Sequence, residues 1–124
     1  AEGSSYSQGY VIRQKGMTMF HSGDALADQE LLRNVGKFHP DVVFLPINGR
    51  DEIREKQGIV GNMSMEEAVL FAKQLSPRVF IPMHYDLFAN NGFDVETCRI
   101  HAEKTIPQVK TIVPLLGKKI TIQL

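Results

Sequence analysis

Short apolar runs alternate with stretches of helical periodicity along this chain. Three of the runs are almost continuously apolar, β-branched or aromatic, as is typical of buried parallel strands: residues 17–20, 42–47 and 79–83. Each run leads directly into polar residues: HSGD at 21–24, NGRD at 48–51 and HYD at 84–86. In open α/β sheets, ligands bind beyond the carboxyl ends of the strands, so these polar segments predict the position of a site.

Turn residues and helical spacing organise the first half of the chain. Residues 10–12 and 17–20 flank Gly16, which predicts a β-hairpin that turns at this glycine. The next apolar residues recur at helical spacing and predict a helix that Gly36 and Pro40 end: Leu26, Leu31, Leu32 and Val35. Residues 48–62 carry three glycines and no sustained periodicity, and loops of such length are often functional.

The second half contains two clear helix starts. Ser64 and Glu67 have capping-box spacing, and Asp94 predicts the N-cap of a later helix. Residues 111–116 and 120–124 predict a closing hairpin. The complete order, ββαβ(loop)αβαββ, indicates a layered α/β unit with parallel middle strands.

Size and charge limit the classes of protein. A chain of 124 residues forms one domain, which we expect over residues 9–124, with residues 1–8 as a linker or an engineered remnant. Fourteen basic residues balance fourteen acidic ones, so no net field favours nucleic acid or an anionic membrane. No apolar stretch approaches the roughly 20 residues of a membrane span. The single Cys98 fits a reducing compartment, so we expect a cytoplasmic protein.

Asp24 and His84 each follow a predicted core strand. Asp24 is either a turn or N-cap residue or a carboxylate metal ligand at a strand end. His84 is either a packed rim histidine or an imidazole ligand. We expect the two side chains to converge, because parallel strands end at a common edge. Two ligands are fewer than the three of a catalytic zinc site, so spacing alone leaves the site incomplete.

Two further residues could contact a substrate at this edge. Arg50, beside Asn48, could hold a phosphate or carboxylate with two hydrogen bonds, or it could pair with Asp51 or Glu52. Tyr85 could orient a substrate or simply pack.

Several other chemistries lack their residues. His21 is interpreted as structural, and no base accompanies Cys98, which excludes a cysteine nucleophile. Ser22 lacks the G-x-S-x-G elbow of serine hydrolases. With neither a P-loop nor G-x-G-x-x-G, nucleotide binding has no support.

Four segments in order along the chain carry a resemblance. FHSGDA at 20–25, LPINGRD at 45–51, GNMS at 61–64 and IPMHYD at 81–86 together resemble the metallo-β-lactamase-fold hydrolases, and within them the L-ascorbate-6-phosphate lactonase group. The resemblance covers residues 10–124. It implies an α/β fold that is half of a metallo-β-lactamase-type αββα sandwich, with a mixed sheet and helices on one face.

The resemblance also implies roles for individual residues. Asp24 matches an aspartate that bridges two metal ions, and His84 matches the final metal-binding histidine of the superfamily. Asn48 and Arg50 lie where this group shapes its substrate pocket. The implied cofactor is a divalent metal, manganese or zinc, which lowers the pKa of water so that hydroxide attacks a lactone carbonyl. The implied substrate is a phosphorylated sugar lactone such as L-ascorbate 6-phosphate.

One departure from the family pattern is large. The H-x-H-x-D-H motif and the intervening histidine ligand are missing from these residues. We expect the C-terminal part of a longer enzyme or a degenerate relative, and the retained Asp24 and His84 favour the former. The missing N-terminal half of the fold is then an expected partner. Without it an apolar face is left uncovered, which favours a homo-oligomer. The chain alone is expected to be inactive. The alternative is a non-catalytic α/β module for anion binding or oligomerisation.

Overall fold

A five-stranded mixed sheet forms the centre of the computed structural model, which describes residues 7–124. The strands lie in chain order across the sheet: β1 (Tyr10–Gln14), β2 (Met17–His21), β3 (Val42–Pro46), β4 (Val79–Met83) and β5 (Lys110–Thr111). β1 pairs antiparallel with β2, and each later pair is parallel. The predicted hairpin and parallel middle strands are confirmed. The predicted linker over residues 1–8 stays a prediction, because residues 1–6 lie outside the described part.

The helices pack on one face of this sheet. The helices of this layer are α1 (Gln29–Gly36), α3 (Met65–Leu75) and α4 (Val95–Thr105), whereas the short α2 (Glu52–Lys56) has no buried residue. Successive parallel strands advance in one direction, so crossovers of the same hand bring their helices to the same face. Phe20, Val43, Leu45 and Phe80 project from the strands into one buried cluster with side chains of α1, α3 and α4. We call this the helix face, and it confirms the predicted α/β class.

Side-chain caps fix where the helices begin. Asp28 Oδ1 accepts a hydrogen bond from the Glu30 amide at 2.6 Å, so α1 begins after Asp28. The predicted start near Leu26 is therefore too early, and Leu26 lies half exposed before the helix. The capping box before α3 is confirmed, since Ser64 and Glu67 each accept a bond from the other's amide.

Two loop predictions need correction. The segment 48–62 contains α2, which Asp51 caps by accepting from the Arg54 amide at 2.8 Å. The predicted closing hairpin over 111–124 is wrong, because pairing in the described chain ends with the two-residue β5 and its neighbour Ile112. Pro114 has no amide hydrogen to continue a ladder, and Leu116 lies fully in solvent.

The opposite side of the sheet, which we call the second face, is apolar but thinly covered. Val42, Val79 and Ile81 are buried there, and the C-terminal residues Ile112 and Ile122 pack against them. Met17, Met19 and Phe44 also pack against this patch but stay partly exposed, and Tyr10 and Ile12 are largely exposed. Among residues 7–124, no helix is long and apolar enough to cross a bilayer.

Candidate metal-binding site

Asp24 and His84 meet at the carboxyl end of the sheet. β2 ends three residues before Asp24 and β4 ends directly before His84. Their side chains approach to 3.2 Å between Asp24 Oδ1 and His84 Nδ1. Both remain partly open to solvent, with 48% of the Asp24 side chain and 29% of the His84 side chain exposed. The predicted convergence is therefore confirmed, and Asp24 is not the N-cap of α1, which is Asp28.

The backbone on both sides of the pair is specialised. Gly23 has φ +61°, and a Cβ there would lie 2.6 Å from the Gln8 carbonyl oxygen, so only glycine fits. His84 also has a left-handed φ, +64°, which is uncommon for a residue other than glycine. Strain of this kind at a strand end is characteristic of functional sites and is maintained by the surrounding structure.

Asn62 holds the Asp24 loop in place. Its Oδ1 accepts from the Ala25 amide at 3.0 Å, and its Nδ2 donates to Asp24 Oδ1 at 3.3 Å. The Asn62 backbone is itself fixed, because its amide donates to the Gly49 carbonyl at 3.0 Å. Sequence reasoning quoted Asn62 within GNMS but gave it no role. Only its position between Gly61 and the capping box could have suggested that its side chain turns inward.

A second buried amide, Asn48, lies beside the pair. Asn48 Nδ2 donates to Asn91 Oδ1 at 3.1 Å, and Arg54 donates to both the Asn48 carbonyl and Asn91 Oδ1, at 2.7 and 2.9 Å. Asn48 Oδ1 is buried with no hydrogen-bond partner among the described residues. Sequence reasoning missed Asn91, because NNG at 90–92 has only the composition of a turn.

Arg50 is occupied by a residue of α3. Its guanidinium forms two hydrogen bonds to the Glu67 carboxylate, at 2.6 and 3.2 Å, and donates to the Asn62 carbonyl at 3.0 Å. The Arg50 guanidinium holds the pKa of Glu67 below its usual value, against the opposing effect of burial. Arg50 therefore pairs as one interpretation expected, but with Glu67 in place of Asp51 or Glu52. Its role as a phosphate contact stays a prediction.

Tyr85 and His21 both contact neighbouring residues of the domain, and a role of Tyr85 in orienting a substrate stays a prediction. The Tyr85 hydroxyl donates to the Pro114 carbonyl at 3.3 Å, and its ring packs against the helix-face core. Burial, together with the nearby Asp86, raises the pKa of Tyr85. The His21 ring stacks on Phe44, and burial and then the neighbouring His84 lower the pKa of His21.

A cavity of about 330 Å³ opens over the Asp24–His84 pair. Its floor is polar and its walls are apolar, with these lining residues: Asp24, Asn48, Ile59, Val60, Asn62, His84, Leu87, Phe88 and Asn91. Arg50 lines a neighbouring cavity with Glu67. The structure thus brings Asp24, His84 and Asn48 to one cavity and leaves Arg50 and Tyr85 outside its lining.

The donor pair fits half of a metal site. Two ligands that bind one zinc ion tetrahedrally at about 2.1 Å lie roughly 3.4 Å apart, close to the separation of Asp24 Oδ1 and His84 Nδ1. A carboxylate oxygen is a suitable ligand for manganese, and an imidazole nitrogen is a suitable ligand for zinc. Within residues 7–124, no third His, Cys, Asp or Glu completes a group that could hold a metal ion. The fold and this pair define an α/β protein with a carboxylate and an imidazole in contact at its strand ends.

Sequence comparison identifies the family. Residues 3–84 match the family described as "Beta-lactamase superfamily domain", so the chain belongs to the metallo-β-lactamase superfamily. A UPF0173 metal-dependent hydrolase of Caldivirga maquilingensis is 33% identical over 107 residues, which cover 85% of this chain and 42% of that protein. A protein of the same name from Methanoculleus marisnigri is 30% identical over 99 residues, which cover 78% of this chain and 39% of that protein.

Structural comparison agrees with this family. Igni18, a metallo hydrolase from Ignicoccus hospitalis, superposes with a TM-score of 0.75 at 28% identity over 94% of this chain and 46% of that one. An isothiocyanate hydrolase from Delia radicum gut bacteria shares the fold alone. It superposes with a TM-score of 0.74 at 16% identity, over 92% of this chain and 43% of that one. The chain spans less than half the length of the curated relatives described above.

Proposed function

We propose that this chain is part of a metal-dependent hydrolase in which Asp24 and His84 are two of the metal ligands. The observation that carries the proposal is the 3.2 Å approach of a carboxylate oxygen and an imidazole nitrogen at the strand ends. The names of the relatives, metal-dependent hydrolases, support the same activity. The remaining ligands would come from residues outside the described part of this chain.

The residues present would each contribute a defined task. Asn62 donates to Asp24 Oδ1 and so orients this carboxylate, as outer-shell partners of metal ligands commonly do. The left-handed backbone at His84 turns its imidazole toward Asp24. When bound, a divalent metal supplies the nucleophile by lowering the pKa of water. Manganese and zinc both suit the two donors, so the metal identity stays a prediction.

A lactone carbonyl is the finer proposal for the bond that is attacked. It is supported by the resemblance of the four sequence segments to the L-ascorbate-6-phosphate lactonase group, while the relatives' names specify no substrate. The phosphorylated-sugar part of that proposal would need a free cation, and Arg50 is engaged by Glu67. The same pairing weakens the alternative of an anion-binding module.

The test uses the protein that the gene encodes, loaded with zinc or manganese and assayed against esters and lactones. Asp24→Asn and His84→Asn should each lower kcat/KM by at least the roughly 100-fold that loss of an outer-shell partner can cost. Asparagine also tolerates the left-handed backbone at position 84, which protects the fold. His101→Asn, on α4, is the matched control and should retain activity. Full turnover by both site variants would contradict the proposal.

A further inference from the structure

The walls of the cavity over Asp24 and His84 are apolar and exposed. Val60 is 69% exposed, Leu87 72% and Phe88 59%, and Ile59 completes the wall. These side chains come from two separate loops, residues 57–64 and 84–94, that meet over the pair. Apolar walls above a few convergent polar groups are characteristic of small-molecule sites.

One residue of the cavity lining, Asn48, carries a buried acceptor without a partner among the described residues. The residue is only 3% exposed, and the acceptor is its Oδ1. The orientation of this amide is determined, because Nδ2 donates to two oxygens of Asn91, at 3.1 and 3.4 Å. A buried acceptor without a partner is unfavourable, and a ligand N–H or O–H would relieve that cost.

Among residues 7–124, no Lys or Arg lines the cavity. Arg54 lies behind Asn48, where it is held by Asp51, by the Asn48 carbonyl and by Asn91. The acidic and imidazole groups in the described lining are those of Asp24 and His84, which the proposed function assigns to metal. In the described lining a phosphate group would therefore find no Lys or Arg, and it would compete with the reacting group for the proposed metal.

We infer that the substrate is an uncharged molecule that carries an alkyl or aryl group and an adjacent N–H or O–H donor. The apolar group packs against Leu87 and Phe88, and the donor binds Asn48 Oδ1. This inference rests on the proposed function, because it assigns the substrate class of the same site. It replaces the phosphorylated sugar with a neutral, amphipathic substrate.

The test measures ligand binding to the 124-residue chain by NMR titration, so that no turnover is needed. The probes are N-methylhexanamide, its N,N-dimethyl analogue, which lacks the N–H, and glucose 6-phosphate. We expect the secondary amide to shift signals of the cavity residues and to bind about three- to tenfold more tightly than the tertiary amide. Glucose 6-phosphate should leave those signals unchanged.

Leu87→Ser, with Leu70→Ser as its matched control, locates the binding. Leu70 lies on α3, is 53% exposed and does not line the cavity. Leu87→Ser should weaken amide binding at least about fourfold, the effect of exposing one methylene, while Leu70→Ser should not. Equal effects of the two substitutions, equal affinity for the two amides, or tighter binding of glucose 6-phosphate would each overturn the inference.

Failure of the hydrolase proposal would give a different result. Amide binding confined to the cavity, together with no metal-dependent turnover in the protein that the gene encodes, would remove the enzymatic role and keep the ligand class. Metal-dependent turnover of a phosphorylated lactone, without amide binding, would keep the hydrolase and overturn the inference.

Discussion

The two faces of the sheet are built from similar residues but have different surroundings. Phe80 on the helix face is fully buried beneath the helices, whereas Phe44, on the adjacent strand and the second face, remains partly exposed. The helices supply the burial that stabilises the domain. The second face keeps Tyr10 and Ile12 in solvent and is suited to contact with another protein surface. From this difference we expect folding to depend mainly on the helix face and association, if it occurs, on the second face.

The largest expected effect comes from truncating one phenylalanine on each face. Phe80→Ala should lower the free energy of unfolding by about 3–5 kcal/mol, because it leaves a cavity in a packed core. Phe44→Ala should cost clearly less, because solvent already reaches its ring. Urea unfolding followed by circular dichroism measures both. Equal destabilisation would mean that the second face is also core, and the comparison would fail.

Association should depend on the second face. We expect the chain to self-associate, and Ile12→Lys to weaken the dimerisation constant about tenfold, or ~1.4 kcal/mol, by placing a charge in the contact. Ile100→Lys on α4, where Ile100 is 55% exposed, is the matched control and should change nothing. Sedimentation equilibrium gives the constants. A wild-type chain that sediments as a monomer and binds no hydrophobic dye would contradict this expectation.

The capping box of Ser64 and Glu67 stabilises the first turn of α3, a helix that packs on the helix face. Ser64→Ala should lower the free energy of unfolding by about 1 kcal/mol, because the Glu67 amide loses its acceptor. Ser64→Gly should cost only a few tenths of a kcal/mol by the same measurement. Were alanine and glycine equally harmful, the hydroxyl would not be acting as the cap.

The smallest effect concerns the charge of Glu67. Arg50 lowers the pKa of Glu67 below its ordinary value. The contribution of this carboxylate to stability is therefore present above the ordinary pKa and is lost as the pH falls through the lowered pKa. Glu67→Gln retains the capping geometry and removes the charge. The Arg50 and Glu67 side chains are 40% and 34% exposed, so solvent screens their attraction. The loss of unfolding free energy at pH 7 should therefore be about 0–1 kcal/mol.

Unfolding curves of both proteins at pH 7 and at pH 2.5 check the sign. The difference between wild type and Glu67→Gln should shrink on acidification, because the charge of Glu67 is lost as the pH falls through its lowered pKa. A difference that grows on acidification would show that the carboxylate does not depend on Arg50.

Local signals in the sequence predicted much of the fold. Continuous apolar runs located the strands, and Ser64 and Asp94 located two helix starts, because these features act within a few residues. The strand-end rule also predicted that Asp24 and His84 meet. The predicted closing hairpin is wrong because Pro114 has no amide hydrogen to continue a strand ladder, although the last residues are apolar.

The missed contacts are those between distant segments. One of the two interpretations of Arg50 pairs it with its neighbours Asp51 or Glu52, yet its partner Glu67 is 17 residues away. Asn62 and Asn91 reach residues 38 and 43 positions distant, Asp24 and Asn48. Amides of this kind also have the composition of turns, so only the packed structure distinguishes them from ordinary loop residues.

The most direct test of the account follows the ring signals of His84 by NMR while zinc is added to the 124-residue chain. We predict that these signals shift, that manganese broadens them, and that Asp24→Asn abolishes both effects, while the signals of His101 do not change. Signals of His84 that stay unchanged at high metal concentration would contradict the assignment of Asp24 and His84 as metal ligands.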